Sequence, residues 1–182
     1  MLNRAEQLIS LEPAEVGRRI TLVEASGEGA PRVLGTQFAG VLSHGVFMYL
    51  DDPAPIVDSM CDLALPAGVV SIVAKNAEVV AVRPALAGDW ATALAAFSDD
   101  HQIKGLGVET RGDRREELSA MLVDRQVDPI AWYGVRLFTD GWTSESAPPE
   151  PEDVVFAVEY EASRRDPYRQ LSRLFHLLGR RT

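Results

Sequence analysis

Short apolar runs alternate along the chain with polar breaks marked by glycine or proline, and that alternation predicts an α/β fold. Phe38 to Leu42 is small and apolar on both faces, as a strand covered by helices is. Val69 to Ala74 repeats the pattern and ends at Lys75-Asn76, and Ile20 to Val23 reads as a shorter strand. Pro53 or Pro55 suits the first turn of a helix running through Leu65, and Leu65-Pro66-Ala67-Gly68 reads as the turn after it. Strand, helix and strand in succession predict parallel pairing.

The flanking segments fill in the rest. Leu2 to Leu11 carries Leu2, Ala5, Leu8 and Ile9 at helical spacing, and Pro13 stops it. Pro84 to Phe97 is an alanine-rich helix, followed by a polar loop from Asp99 to Gly107 that exposes His101. Asp113 and Glu116 have the spacing of an N-cap with its reciprocal acid, opening a helix over Leu118, Met121 and Leu122. Ile130 to Phe138 is an aromatic-rich strand, Thr143 to Asp153 a proline- and acid-rich loop, and Val154 to Arg165 a helix. Leu171 to Leu178 fits either a closing strand or a helix. No internal repeat is present.

Composition narrows the class. A chain of 182 residues, 46% hydrophobic and 25% charged, can bury one core as a soluble globular domain. No apolar run reaches spanning length and no signal-peptide pattern opens the chain, so a cytoplasmic location and no membrane partner are expected. The single cysteine, Cys61, excludes an internal disulfide, and beside Met60 and Leu63 it reads as buried filler rather than a nucleophile. A net charge of −9 opposes a broad nucleic-acid-binding surface. The charge is uneven, because between Arg164 and Thr182 the arginines at 164, 165, 169, 173, 180 and 181 face only Asp166. That basic end reads either as a solvated surface or as a contact for a phosphate-bearing substrate.

Candidate chemistry is sparse. The sequence has no cysteine–histidine cluster for zinc and no phosphate loop of the P-loop kind. Ser43 and His44 are adjacent, without the Gly-x-Ser-x-Gly elbow of a hydrolase. Ligands in open α/β sheets lie outside the carboxyl ends of the strands. His44, at the end of the Phe38–Leu42 strand, is therefore either a site residue or a turn cap.

The run Ser43-His44-Gly45-Val46, followed by Met48-Tyr49-Leu50 and Asp52-Pro53, resembles the fourth strand and following helix of class I S-adenosylmethionine-dependent methyltransferases. Leu65-Pro66-Ala67-Gly68-Val69-Val70 resembles the turn before their fifth strand, with Ala67 in place of a turn glycine. Asn76-Ala77, Gly88, Gly134-Val135-Arg136-x-Phe138-x-Asp140 and Asp166-Pro167-Tyr168 with Leu171, Arg173 and His176 extend the match, which is closest to the tRNA 5-carboxymethoxyuridine methyltransferases. The resemblance implies a Rossmann-like sheet, mostly parallel, with Leu171 to Leu178 as a closing antiparallel strand. Residues 84–107 become a helical insert near the substrate side of a single domain, 1–182.

Residue by residue, the resemblance implies S-adenosyl-L-methionine as cofactor, with Gly27 and Glu28 at its adenine edge and His44 against it. It sends Arg136 and Asp140 toward the substrate, with Tyr168 and Arg173 as further substrate candidates. Arg136 is either a bidentate partner for a substrate carboxylate or a surface ion pair. The implied reaction is methyl transfer to an oxygen or carboxylate acceptor, on a tRNA wobble uridine or on a small carboxylate-bearing molecule. The departure is at the start, where the family's glycine-rich loop and ribose-binding acid, with their βαβ unit, have no counterpart in the sequence. Weak cofactor binding or none is expected without that loop, and a non-catalytic remnant acting as a binding module is the rival reading.

Overall fold

The computed structural model describes residues 2–35, 37–99, 101–104, 108–142 and 151–182, the side chains of 102–104 apart. Three short helices open the chain: α1 (Leu2–Ile9), α2 (Ala14–Gly17) and α3 (Ala30–Leu34). The expected strand Ile20–Val23 does not form. Its residues find no ladder partner among the described residues, and Ile20 and Val23 stay about two-fifths exposed (43% and 39%). A strand without a neighbour leaves its backbone groups to water, and apolar side chains alone do not hold it.

Strand β1 (Phe38–His44) leads through a single 3-10 turn into α4 (Ala54–Leu63), then β2 (Ala64–Lys75). Asp52 opens α4 by accepting from the Ala54 N–H at 2.9 Å, and prolines 53 and 55 bracket the first turn, where a missing N–H costs nothing. Ile56, Val57, Met60, Cys61 and Leu63 are its buried face. The expected turn over residues 65–68 lies inside β2 as an irregularity. Phe38 pairs with Ala64 and Gly40 with Val69, and Ala67 takes up the excursion at φ +62°.

Beyond β2 come α5 (Val82–Leu86), α6 (Trp90–Ala95), the hairpin β3 (Gln102–Lys104) with β4 (Val108–Thr110), and α7 (Arg115–Val123). The alanine-rich helix expected over 84–97 is therefore two helices, broken at Gly88 (φ +77°), and residues 102–104 of the expected loop are a strand. Asp113 does not cap α7. It is 3% exposed, its N–H donates to the Lys75 carbonyl at 2.7 Å, and its carboxylate meets Arg111 at 2.8 Å, leaving Arg114 at the cap position. A buried carboxylate is held by its guanidinium partner in preference to a solvated helix end. Strand β5 (Val127–Val135), α8 (Glu152–Ser163) and β6 (Leu174–Arg181) complete the chain. Most of the expected loop 143–153 lies outside the described residues.

The main sheet has the order β1-β2-β6-β5, with β1 parallel to β2 and β6 antiparallel to both β2 and β5. Thus β1, β2 and β5 share a direction and the closing strand opposes them, the antiparallel closing strand that the resemblance implies. One face carries Val70, Ile72, Phe175 and Leu177, which pack with α4 and α7 into the core. Burying each such side chain contributes about 1.5–3 kcal/mol. Cys61 belongs to this core, and burial pushes its thiol up to about 11, which suits filler and not a nucleophile. The other face carries Leu42, His44, Ser71, His176 and Tyr133. Leu42 is 65% exposed there, and α8 packs against β5.

Candidate active site

The carboxyl ends of β1, β2 and β5 and the start of β6 lie along one edge of the sheet, and the functional candidates collect there. His44 ends β1, with the following Gly45 N–H donating to the Val73 carbonyl at 2.9 Å. Cross-strand register places His44, Val73, His176 and Tyr133 side by side on the open face. The hydroxyl of buried Ser71 lies 2.9 Å from His44 Nε2 and 2.8 Å from His176 Nε2. One hydroxyl proton serves one imidazole only, so Ser71 donates to at most one of the two rings. The rings meet edge to face with centroids 5.5 Å apart. Burial, then the charge of His44, lowers the His176 pKa below its ordinary value.

Two strands further along, an arginine cluster surrounds Asp140. Arg173, just before β6, donates to Asp140 Oδ1 at 2.8 Å, and Arg83, on α5, donates to Oδ2 at 3.1 Å. Arg136, just after β5, brings Nε to 3.9 Å of Oδ1. The carboxylate side chain is 10% exposed, whereas the three guanidinium side chains are 40–51% exposed. Three positive groups thus share one negative group, and their outer N–H groups face the solvent side.

The loop carrying Arg136 and Asp140 is itself held. Glu159 on α8 accepts from the N–H groups of Leu137 (3.1 Å), Phe138 (2.8 Å) and Thr139 (2.7 Å), a carboxylate nested in backbone donors. Asn76, at the end of β2, fixes the other wall. Its amide donates to the Gln170 and Ser172 carbonyls at 3.2 and 3.1 Å, while its own N–H donates to the Arg173 carbonyl at 2.9 Å.

The structure thus brings together three of the residues marked in the sequence, Arg136, Asp140 and Arg173. Tyr168 lies apart, on a neighbouring apolar cavity, with its ring 6.5 Å from that of Phe138. Gly27 and Glu28 sit on the loop before α3, against the amino-terminal half of α4 and so at the carboxyl side of the sheet. Gly27 is in close contact, because a Cβ there would fall 2.6 Å from Ile56 Cδ1, and its carbonyl accepts from Ser59 Oγ at 2.6 Å. Glu28 is exposed. No motif marks Arg83 or Glu159. Arg83 belongs to the segment between β2 and α7, and only the packing of α5 against the β5 loop reveals its role.

The remaining basic residues near the C-terminus are mostly occupied elsewhere. Arg169 pairs with Asp166 at 2.7 Å and stacks over Trp132 at 4.1 Å. Arg181 donates to the Cys61 and Ala64 carbonyls, both at 2.6 Å, closing the carboxyl end of α4. Arg173 alone of that group joins the Asp140 cluster.

No family model matches the sequence, and no curated protein does. Solved structures do match the fold. An O-methyltransferase family protein from Burkholderia thailandensis shares it over 99% of this chain at TM-score 0.57 and 14% identity, and the chain spans only 40% of that protein's length. The glycopeptide N-methyltransferase MtfA, solved with S-adenosylhomocysteine, matches over the whole chain at TM-score 0.59 and 14% identity, with 69% of its own length covered. The methyltransferase CcbJ from Streptomyces caelestis gives TM-score 0.59 and 11% identity, with 100% of this chain and 70% of CcbJ covered. The fold is therefore the α/β, Rossmann-like fold of S-adenosylmethionine-dependent methyltransferases. No helix among the described residues is long and apolar enough to cross a membrane.

Proposed function

We propose that this chain is a methyltransferase module that uses S-adenosyl-L-methionine to methylate an oxygen of an anionic acceptor. The observation that carries this reading is the arginine cluster of Arg83, Arg136 and Arg173, set on the same sheet edge as His44 in a methyltransferase fold.

The residues present fit part of the cofactor. Gly27 packs closely on Ile56 of α4 and fixes the loop, Glu28 offers an exposed carboxylate to an exocyclic amino group, and His44 presents its ring at the end of β1. These three would hold the adenosine end. The described residues before β1 contain no strand, glycine loop and helix unit to cradle the methionine end with backbone amides, so affinity from this chain alone is expected to be low. When bound, S-adenosylmethionine supplies an electrophilic methyl group. The arginines orient the acceptor by charge-assisted hydrogen bonds, and in-line positioning is the main requirement. A carboxylate acceptor is already ionised at neutral pH and needs no general base.

A carboxylate on a tRNA wobble uridine and a small carboxylate-bearing molecule both satisfy this chemistry. The net charge of −9 favours the small molecule, since a tRNA body would meet repulsion over most of the surface. Calorimetric titration with S-adenosylmethionine and S-adenosylhomocysteine tests the proposal. Binding that weakens in His44→Ala and Glu28→Ala supports it. Absence of binding to either compound overturns it for this chain and supports the rival, a non-catalytic module that keeps the fold.

A further inference from the structure

The arginine cluster forms one wall of a cavity of about 440 Å³ between α5, the end of β2 and the loop after β5. Its composition is two-sided. Arg83, Arg136 and Arg173 line it with Asp140 as the only lining carboxylate among the described residues, while Val82, Leu86 and Leu137 add apolar surface to the same lining.

Charge balance decides what such a cavity takes. Asp140 accepts directly from two of the three guanidinium groups, while the third, Arg136, stays 3.9 Å from Oδ1 and half exposed. Each guanidinium carries five donors in a planar fork, so the cluster retains unused donors and an excess of positive charge after Asp140 is satisfied. A cation meets repulsion there. A bare inorganic anion meets the arginines but leaves the apolar surface wet, and a volume of this size suits a compact molecule rather than a nucleic-acid helix.

We infer that this cavity binds a small organic acid with an apolar body, its carboxylate on Arg136 and Arg173 and its hydrocarbon part against Leu86 and Leu137. This rests on the reading above only in taking the cavity as the acceptor side, and it specifies the acceptor as a small amphipathic acid rather than a tRNA. Arg83, contributed by the segment between β2 and α7, is then a specificity residue, since it sets the charge of the cavity from outside the sheet.

The test is calorimetric titration of the whole chain, without S-adenosylmethionine, using phenylacetate, 2-phenylethylamine and inorganic phosphate as probes. The expected result is saturable binding of phenylacetate, at least tenfold weaker binding of phosphate, and none of the amine. Arg136→Gln, which leaves both short contacts to Asp140 in place, should weaken phenylacetate at least fivefold while the circular dichroism melt stays unchanged. Equal binding of acid and amine, tighter binding of phosphate than of phenylacetate, no binding of phenylacetate, or a folded Arg136→Gln variant with unchanged affinity would each overturn the inference. Because no cofactor is present, its failure stays separate from failure of the methyltransferase reading, which the S-adenosylhomocysteine titration reports.

Discussion

Arg83 and Arg173 grip the two oxygens of Asp140 from different elements, at 3.1 and 2.8 Å, and so tie α5 and the start of β6 to the loop after β5. The carboxylate is the shared member and the buried one. Asp140→Ala leaves three guanidinium groups facing each other with no counter-charge, and should destabilise the fold by about 1–3 kcal/mol. Arg83→Ala removes one half-exposed partner, and solvent screening holds its cost below about 1 kcal/mol. Urea denaturation of the two variants checks the order, and an Arg83→Ala cost equal to that of Asp140→Ala would show that the carboxylate is not the hub.

Glu159 should matter more than its half-buried position suggests. It satisfies three successive backbone N–H groups, of Leu137, Phe138 and Thr139, that have no ladder partner after β5 ends. Glu159→Ala leaves those donors to water and frees the loop carrying Arg136 and Asp140. A loss of about 1–3 kcal/mol is expected, together with faster amide exchange at 137–139. Glu159→Gln, which keeps one acceptor oxygen, should lose less. Hydrogen exchange read by mass spectrometry separates the two.

Much of this arrangement was legible in the chain, and the reasons differ by residue. Apolar runs marked β1 and β2, although the cover expected on both faces of Phe38–Leu42 is lacking among the described residues, where Leu42 is 65% exposed, and Asp52-Pro53 marked α4 because the helix start has its own chemistry. His44 could be placed at a strand end from its neighbours alone. The strand expected at 20–23 failed because pairing depends on a partner far along the chain, which no local pattern reports. Asp113 looked like a helix cap because spacing cannot reveal that Arg111 and the end of β2 draw it inward. Arg83 and Glu159 escaped notice for the same reason, as their roles exist only once α5 and α8 dock beside the β5 loop.

Ala67 offers a test of backbone strain. It holds φ +62° within the irregular start of β2, a region disfavoured for residues with a Cβ by roughly 1–2 kcal/mol. Ala67→Gly should relieve part of that cost and raise stability by up to about 1 kcal/mol, with the Arg180 contact to the residue-67 carbonyl at 3.1 Å retained. A shift of the urea midpoint upward at unchanged slope is the expected signature. A downward shift would show that the entropy gained by the unfolded chain outweighs the strain.

The paired histidines set a pH dependence whose sign follows from His176. Its pKa is lowered in the folded chain, first by burial and then by the charge of His44, so the unfolded chain binds the proton more readily. Above the ordinary histidine value of about 6.5 both states are neutral at this position and the full stability is present. As pH falls below about 6.5 the unfolded state takes up the proton first, and stability declines until the folded-state pKa is passed. His44, Ser71 and Tyr133 contact His176, and Arg136, Glu152, Asp153 and Glu159 line the same cavity. His44→Ala removes the repulsive neighbour and leaves burial, so the His176 pKa should rise toward its ordinary value and the window of declining stability should narrow. Imidazole titration by NMR, with urea denaturation at pH 5.5 and 7.5, reads both quantities. A His176 pKa unmoved by His44→Ala would mean that burial alone sets it.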